Sequence, residues 1–155
     1  MKAMGNGGEN MSVQTVRATN NTDVARTPIV FFDGVCELCN RSVDLLLRAD
    51  TQRVFAFASL QGETARELLP PLTGDTSRWS IVYLDERGEH RESDAVLAIC
   101  RRLGGPWRLL GLARVLPRWL RDPAYRFIAR HRYGTFGERA TCRIPTAAER
   151  SRFLP

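Results

Sequence analysis

At 155 residues, with 43% hydrophobic and 26% charged residues, the chain is long enough for one globular domain, and its composition excludes a fibrous repeat and wholesale disorder. No window approaches the run of about 18 apolar residues that spans a bilayer, and the start lacks the apolar core of a secretory signal, so cytoplasmic residence is expected. The net charge of +6 is lopsided: residues 101–155 carry 13 Arg against Asp122, Glu138 and Glu149, a balance of +10, whereas residues 1–100 balance at −4.

Residues 1–27 are rich in Gly, Asn and Thr without an apolar period, which predicts a flexible leader ahead of a domain at 28–155. "PIVFF" at 28–32 is apolar without alternation, as in a strand buried on both faces. From Glu37 to Ala49 the pattern is helical: Leu38, Ser42, Leu45, Leu46 and Ala49 make a small or apolar face, and Asn40, Arg41, Asp44 and Arg48 face away. "RVFAFA" at 53–58 predicts a second buried strand, parallel to the first because a helix joins them. A short helix over 62–69 stops at Pro70 and Pro71. Strands at 79–84 and 89–92 flank "DERG" as a hairpin, and Ser93 is placed to cap a helix running to about Leu103, closed by Gly104 and Gly105. After "PWRLLGLARVL", a last helix is expected from Pro123 to Arg132 with Asp122 as its cap. The fold class is therefore α/β, a β-α-β-α-β-β-α sheet with additional C-terminal helices.

Chemistry concentrates at "DGVCELCN", residues 33–40, between the first strand and the first helix. Four cysteines in a cytosolic chain of this length do not make a disulfide scaffold, so a close pair points to redox chemistry or metal. Cys36 falls at the helix mouth, where free amides and the positive dipole end favour a thiolate over a thiol that otherwise titrates near pH 8.5. Cys39, one turn further on and expected to be less exposed, is positioned to resolve a mixed disulfide formed at Cys36. Asp33 is a candidate proton relay to Cys39. Glu37, a carboxylate beside Cys36, argues for a reductant or balanced exchanger. Disulfide exchange by the pair itself needs no cofactor, and its partners would be a protein or low-molecular-weight disulfide and a dithiol electron donor.

The alternative is a zinc module built from Cys36, Cys39, Cys142 and His131, a permitted Cys3His set without a second close ligand pair. Cys100 shares a helix face with Ala95, Val96 and Ile99 and reads as a core thiol. The C-terminal arginines make no single stripe for nucleic acid, which ranks below redox, and "WRLLGLARVLPRWL" can cover one end of the sheet or rest on an anionic membrane.

"FFDGVCELCN" resembles the D-G-x-C-x-x-C signature of the DCC family of thiol-disulfide oxidoreductases, and "SDAVLAICRRLGGPW", "LPRWLRDPAYRFIARHRYGTFG" and "TCRIPTAAERSRFL" are similar to that family's later blocks. The resemblance implies a thioredoxin-like fold, redox cysteines at Cys36 and Cys39, and the motif aspartate at Asp33. Thioredoxin-like proteins also carry a cis-proline loop before the third strand. "DTSRWSIVYL" has Thr76 and Ser77 and no proline there, so substrate docking is expected to fall to the C-terminal block.

Overall fold

The computed structural model describes residues 27–71, 81–139 and 144–155, so the predicted leader lies outside the described residues except for Thr27. Strand β1 (Ile29–Phe32), helix α1 (Glu37–Ala49), β2 (Ala56–Ser59), α2 (Glu63–Leu68), β3 (Val82–Asp85), β4 (Gly88–Arg91) and α3 (Glu92–Leu103) follow in the expected thioredoxin-like order. Then come α4 (Trp107–Gly111), a 3-10 turn (Leu112–Val115), α5 (Arg118–Phe136), and a short strand, β5 (Phe153–Leu154).

The sheet runs β4-β3-β1-β2-β5. β1 is its centre, parallel to β2 from Ile29↔Ala56 to Phe32↔Ser59 and antiparallel to β3. All four β1 residues are buried, and the strand pleat divides them. Ile29 and Phe31 pack with Ala65 and Leu69 on the α2 face, while Val30 and Phe32 pack with Val43 of α1 and Ala95 and Ile99 of α3 on the other. Fully burying a side chain of this size contributes about 1.5–3 kcal/mol, which lets a strand of four residues anchor two layers.

β2 starts later than its apolar run. Asp50 accepts the Val54 and Phe55 amides through Oδ1 and Oδ2, each at 3.0 Å, so those donors are satisfied before the ladder begins. The hairpin is shorter than predicted, with Glu86 and Arg87 at its turn, and residues 79–80 of the expected strand lie outside the described residues.

β5, which the sequence reading does not include, adds to β2 in parallel at Phe57↔Phe153 and Ala58↔Leu154, and Arg152 pairs with the buried Asp50. Behind it the Pro155 carbonyl accepts the Thr64 amide at 2.9 Å, so close to Gly62 that a Cβ there would stand 2.9 Å from the same oxygen.

Two helix starts differ from expectation for one reason. Ser93 does not cap α3, which begins at Glu92; its hydroxyl donates to Asp122 and accepts from Arg121 Nη1 at 3.1 Å. Asp122 is correspondingly no cap. α5 begins at Arg118, with Pro123 inside it. A proline at the sixth helical position removes one amide donor, and the cross-helix contacts from Asp122 and Arg121 hold the turn before it. Local cap chemistry has been redirected into tertiary contacts.

The faces of α1 also differ from the periodic reading. Its fully buried residues are Val43 and Asn40, the latter expected to face away, while Leu38, Ser42, Leu45 and Leu46 line a cavity between α1, α3, α4 and α5.

Candidate active site

Cys36 is the N-cap of α1. Its backbone is extended (φ −81°, ψ 121°), and its Sγ accepts the Cys39 amide at 3.4 Å, the place a serine or aspartate oxygen usually takes. Asn40 locks the loop below: Nδ2 donates to the Gly34 carbonyl at 2.9 Å and the Cys36 carbonyl at 2.7 Å. Both cysteines are free thiols.

The two sulfurs are pushed in opposite directions. A hydrogen bond from the Cys39 thiol, outweighing burial and aided by the Cys39 amide and the Arg132 charge, draws Cys36 down to about 6. Giving that bond, followed by burial and the nearby Cys36 charge, drives Cys39 well above the ordinary thiol range. The bond therefore favours the charge on Cys36 and the proton on Cys39.

Asp33 is buried at the end of β1 and accepts from four donors. Oδ1 takes the Val35 amide at 3.2 Å and Gln61 Nε2 at 2.8 Å; Oδ2 takes Arg132 Nη2 at 3.0 Å and the Tyr133 hydroxyl. Tyr133 is pushed up to about 12, chiefly by burial and then by its bond to Asp33, so it remains a donor. Arg132 also reaches the pair, with Nη1 3.8 Å from Cys39 Sγ. Asp33 thus meets Cys39 through a guanidinium, a group that does not release its proton, and among the described residues it makes no hydrogen bond to either sulfur.

The structure reverses the expected exposure of the pair. Cys36 is fully buried and Cys39 only partly so. The cover over Cys36 is the segment after α5: Gly137, at φ 88°, ends the helix, and the chain then runs antiparallel to the cysteine loop with Cys36 opposite Glu138. The Glu37 amide donates to the Gly137 carbonyl at 3.3 Å, and the Arg139 amide donates to the Val35 carbonyl at 2.8 Å. Glu37 pairs with Arg139 and, at 3.1 Å, with Arg41, which hold its carboxyl below the usual range. Its charge is therefore already matched, and it supplies no ground for expecting a weaker thiolate.

Cys39 faces a cavity of about 410 Å³ walled by Phe32, Ile99, Trp107, Ile128 and Arg132. Cys100 lies in the same wall, raised by burial, consistent with a packed thiol. The zinc set does not assemble among the described residues, where no three His, Cys, Asp or Glu side chains converge. His131 is exposed on α5 against Phe127, and Cys142 lies outside the described residues, as do Thr76 and Ser77. In the wall of the same cavity, the Ile81 amide just before β3 donates to the Tyr125 hydroxyl at 3.2 Å.

Sequence reasoning missed Arg132, Tyr133 and Gln61. One signal was available: Tyr125, Ile128, Ala129 and Arg132 share a helix face, so the apolar stripe of α5 ends on an arginine.

A family model for DCC1-like thiol-disulfide oxidoreductases matches residues 30–138. The uncharacterized protein YuxK of Bacillus subtilis (strain 168) is 38% identical over 128 residues, 82% of this chain and 93% of that protein. A chloroplastic DCC family protein of Arabidopsis thaliana is 32% identical over 138 residues, 86% of this chain and 79% of its own length. No solved structure matches significantly. The matched stretch runs from the central strand through the cysteine loop to the segment that covers it, and on that footing the chain belongs to the DCC1-like thiol-disulfide oxidoreductase family.

Proposed function

We propose that the protein exchanges disulfides with Cys36 as attacking thiolate and Cys39 as resolving thiol, acting as a protein-disulfide reductase or exchanger in the cytoplasm. The observation that carries this reading is the Cys36 sulfur at the mouth of α1, drawn down to about 6 by the Cys39 thiol and amide. The thiolate attacks one sulfur of a protein or low-molecular-weight disulfide; that S–S bond breaks, a mixed disulfide forms at Cys36, and the first substrate sulfur leaves as thiolate. Loss of the Cys36 charge removes one cause that holds the Cys39 proton. Cys39 then deprotonates and attacks Cys36, releasing the second substrate sulfur and leaving a Cys36–Cys39 disulfide. A dithiol donor closes the cycle: its two electrons reduce the Cys36–Cys39 bond, one of its protons stays on Cys39, the other is released, and its own sulfurs join in a disulfide.

In this reading the segment 137–139 swings off Cys36 to admit the substrate. It already forms the backbone pairing beside the cysteines that a docked chain would need, in keeping with docking by the C-terminal block. Asp33 acts as a positioning residue that holds Arg132 against Cys39. The competing role, relay of the Cys39 proton, predicts that Asp33→Asn deletes an ionisation from the pH profile of resolution, whereas positioning predicts a slower rate with the same number of ionisations, the cysteine step displaced downward by loss of the Asp33 charge.

The order of attack is read by trapping. With a disulfide substrate on non-reducing gels, Cys39→Ser accumulates a stable mixed disulfide and Cys36→Ser traps almost none. Equal trapping by both reverses the assignment of roles, and no exchange by the unaltered protein removes the reading itself.

A further inference from the structure

We propose that the segment from Trp107 to Leu120 is a docking surface for an anionic lipid bilayer. The inference stands apart from the thiol chemistry and rests on how this segment meets the rest of the protein. Its inner side is Trp107, which lines the cavity, and Gly111, which is buried with the Arg101 side chain so near that a Cβ would meet Arg101 Cγ at 2.5 Å. The large apolar side chains are left facing solvent. Val115 is 87% exposed, Trp119 75% and Leu109 70%, with Leu112, Leu116 and Leu120 also exposed.

Seven large apolar side chains within twelve residues, Leu110 among them, are exposed, an apolar stretch of the kind that marks an interaction surface. The apolar stretch reaches the cavity. Leu110 and Ile128 are exposed and also line the apolar cavity, so its mouth opens beside the patch.

Charge selects the occupant. Between Gly104 and Arg121 there are four arginines and no acidic residue. Arg118 and Arg121 are partly matched by Asp94, whose carboxyl Arg114 also helps hold down; Arg108 and Arg114 make no salt bridge among the described residues and line a groove in which Arg87, Arg101 and Arg102 join them against Asp85 and Glu86. Two copies of this face would bring like charges together as they buried their leucines, which opposes self-association. An anionic lipid surface accepts both components: apolar side chains and Trp119 enter the headgroup boundary, and the arginines bury their stems and meet phosphate. No helix among the described residues is long and apolar enough to cross a membrane, so the contact is a surface one.

Co-sedimentation of the full chain with phosphatidylcholine vesicles, with and without phosphatidylserine, tests the inference. Binding is expected to the phosphatidylserine vesicles and to weaken with salt; Arg108→Gln with Arg114→Gln should lower partitioning roughly thirtyfold at low salt. Val115→Glu with Trp119→Glu should abolish it. Because both sites are exposed, that variant should retain its circular dichroism and its disulfide exchange. Absence of binding to phosphatidylserine vesicles overturns the proposal, as does equal binding by the Glu variant. A concentration-dependent dimer that the Glu variant dissolves, with no vesicle binding, overturns it in favour of self-association.

Discussion

The two ends of α5 are built from the same kinds of residue and do different work. At the N-terminal half, the exposed Arg118 pairs with Asp94 and the exposed Arg126 with Glu92, while Trp119 and Leu120 lie exposed. At the C-terminal end Arg132 is 3% exposed and holds Asp33 under the cysteine pair. The difference teaches that an arginine's weight here is set by water. An exposed pair exchanges one well-solvated state for another and nets about 0–1 kcal/mol, whereas removing one partner of a buried pair strands the other charge in a poor solvent.

The sharpest way to break the contrast is Arg132→Met, which leaves the Asp33 carboxyl buried with Gln61, Val35 and Tyr133 but no cation. It should cost about 3–5 kcal/mol in urea unfolding. A cost under about 1 kcal/mol would mean that the two ends of the helix are equivalent after all.

Removing the other partner more gently, Asp33→Asn keeps the shape but withdraws the acceptor for Arg132 and Tyr133, and should cost about 1–3 kcal/mol. Tyr133→Phe deletes a single donor to a carboxyl that keeps three others, so about 0.5–1.5 kcal/mol is expected. At the exposed end, Arg126→Ala should change stability by no more than about 0.5 kcal/mol and lose even that at high salt.

The buried end should also be visible in pH. Cys36 is drawn from 9.0 to about 6, so folding favours its charged form. The stability this contributes to the reduced protein is full above pH 9, declines as pH falls and is lost below about 6. Thiolate absorbance at 240 nm of the reduced protein should therefore drop through a step near pH 6 that Cys36→Ser abolishes. Arg132→Met should move the step upward, because it removes one of the groups that favour the charge.

The central layer was legible because its signals are local. "PIVFF" has no polar residue to turn outward, and the Cys36-to-Cys39 spacing at a strand-to-helix junction needs only one turn of helix to bring a sulfur to its own cap. Gly104 likewise ends α3 at a φ of 73° that other residues rarely adopt.

Other features were decided by partners 27 to 100 positions away. Ser93 and Asp122 carry ordinary capping chemistry, yet they bond to each other across 29 residues, since a buried hydroxyl takes whichever acceptor the packing presents. Tyr133 and Arg132 reach Asp33 from 100 and 99 residues on; the stripe of Tyr125, Ile128 and Ala129 that ends on Arg132 sets this arginine apart, but nothing in the sequence names the carboxylate it meets. The exposure of the pair was settled the same way. Position at a helix mouth determines the dipole that Cys36 feels, because that field comes from the adjoining backbone. Whether solvent also reaches the sulfur depends on what else lies there, and the segment at Gly137 to Arg139 arrives only when α5 has packed.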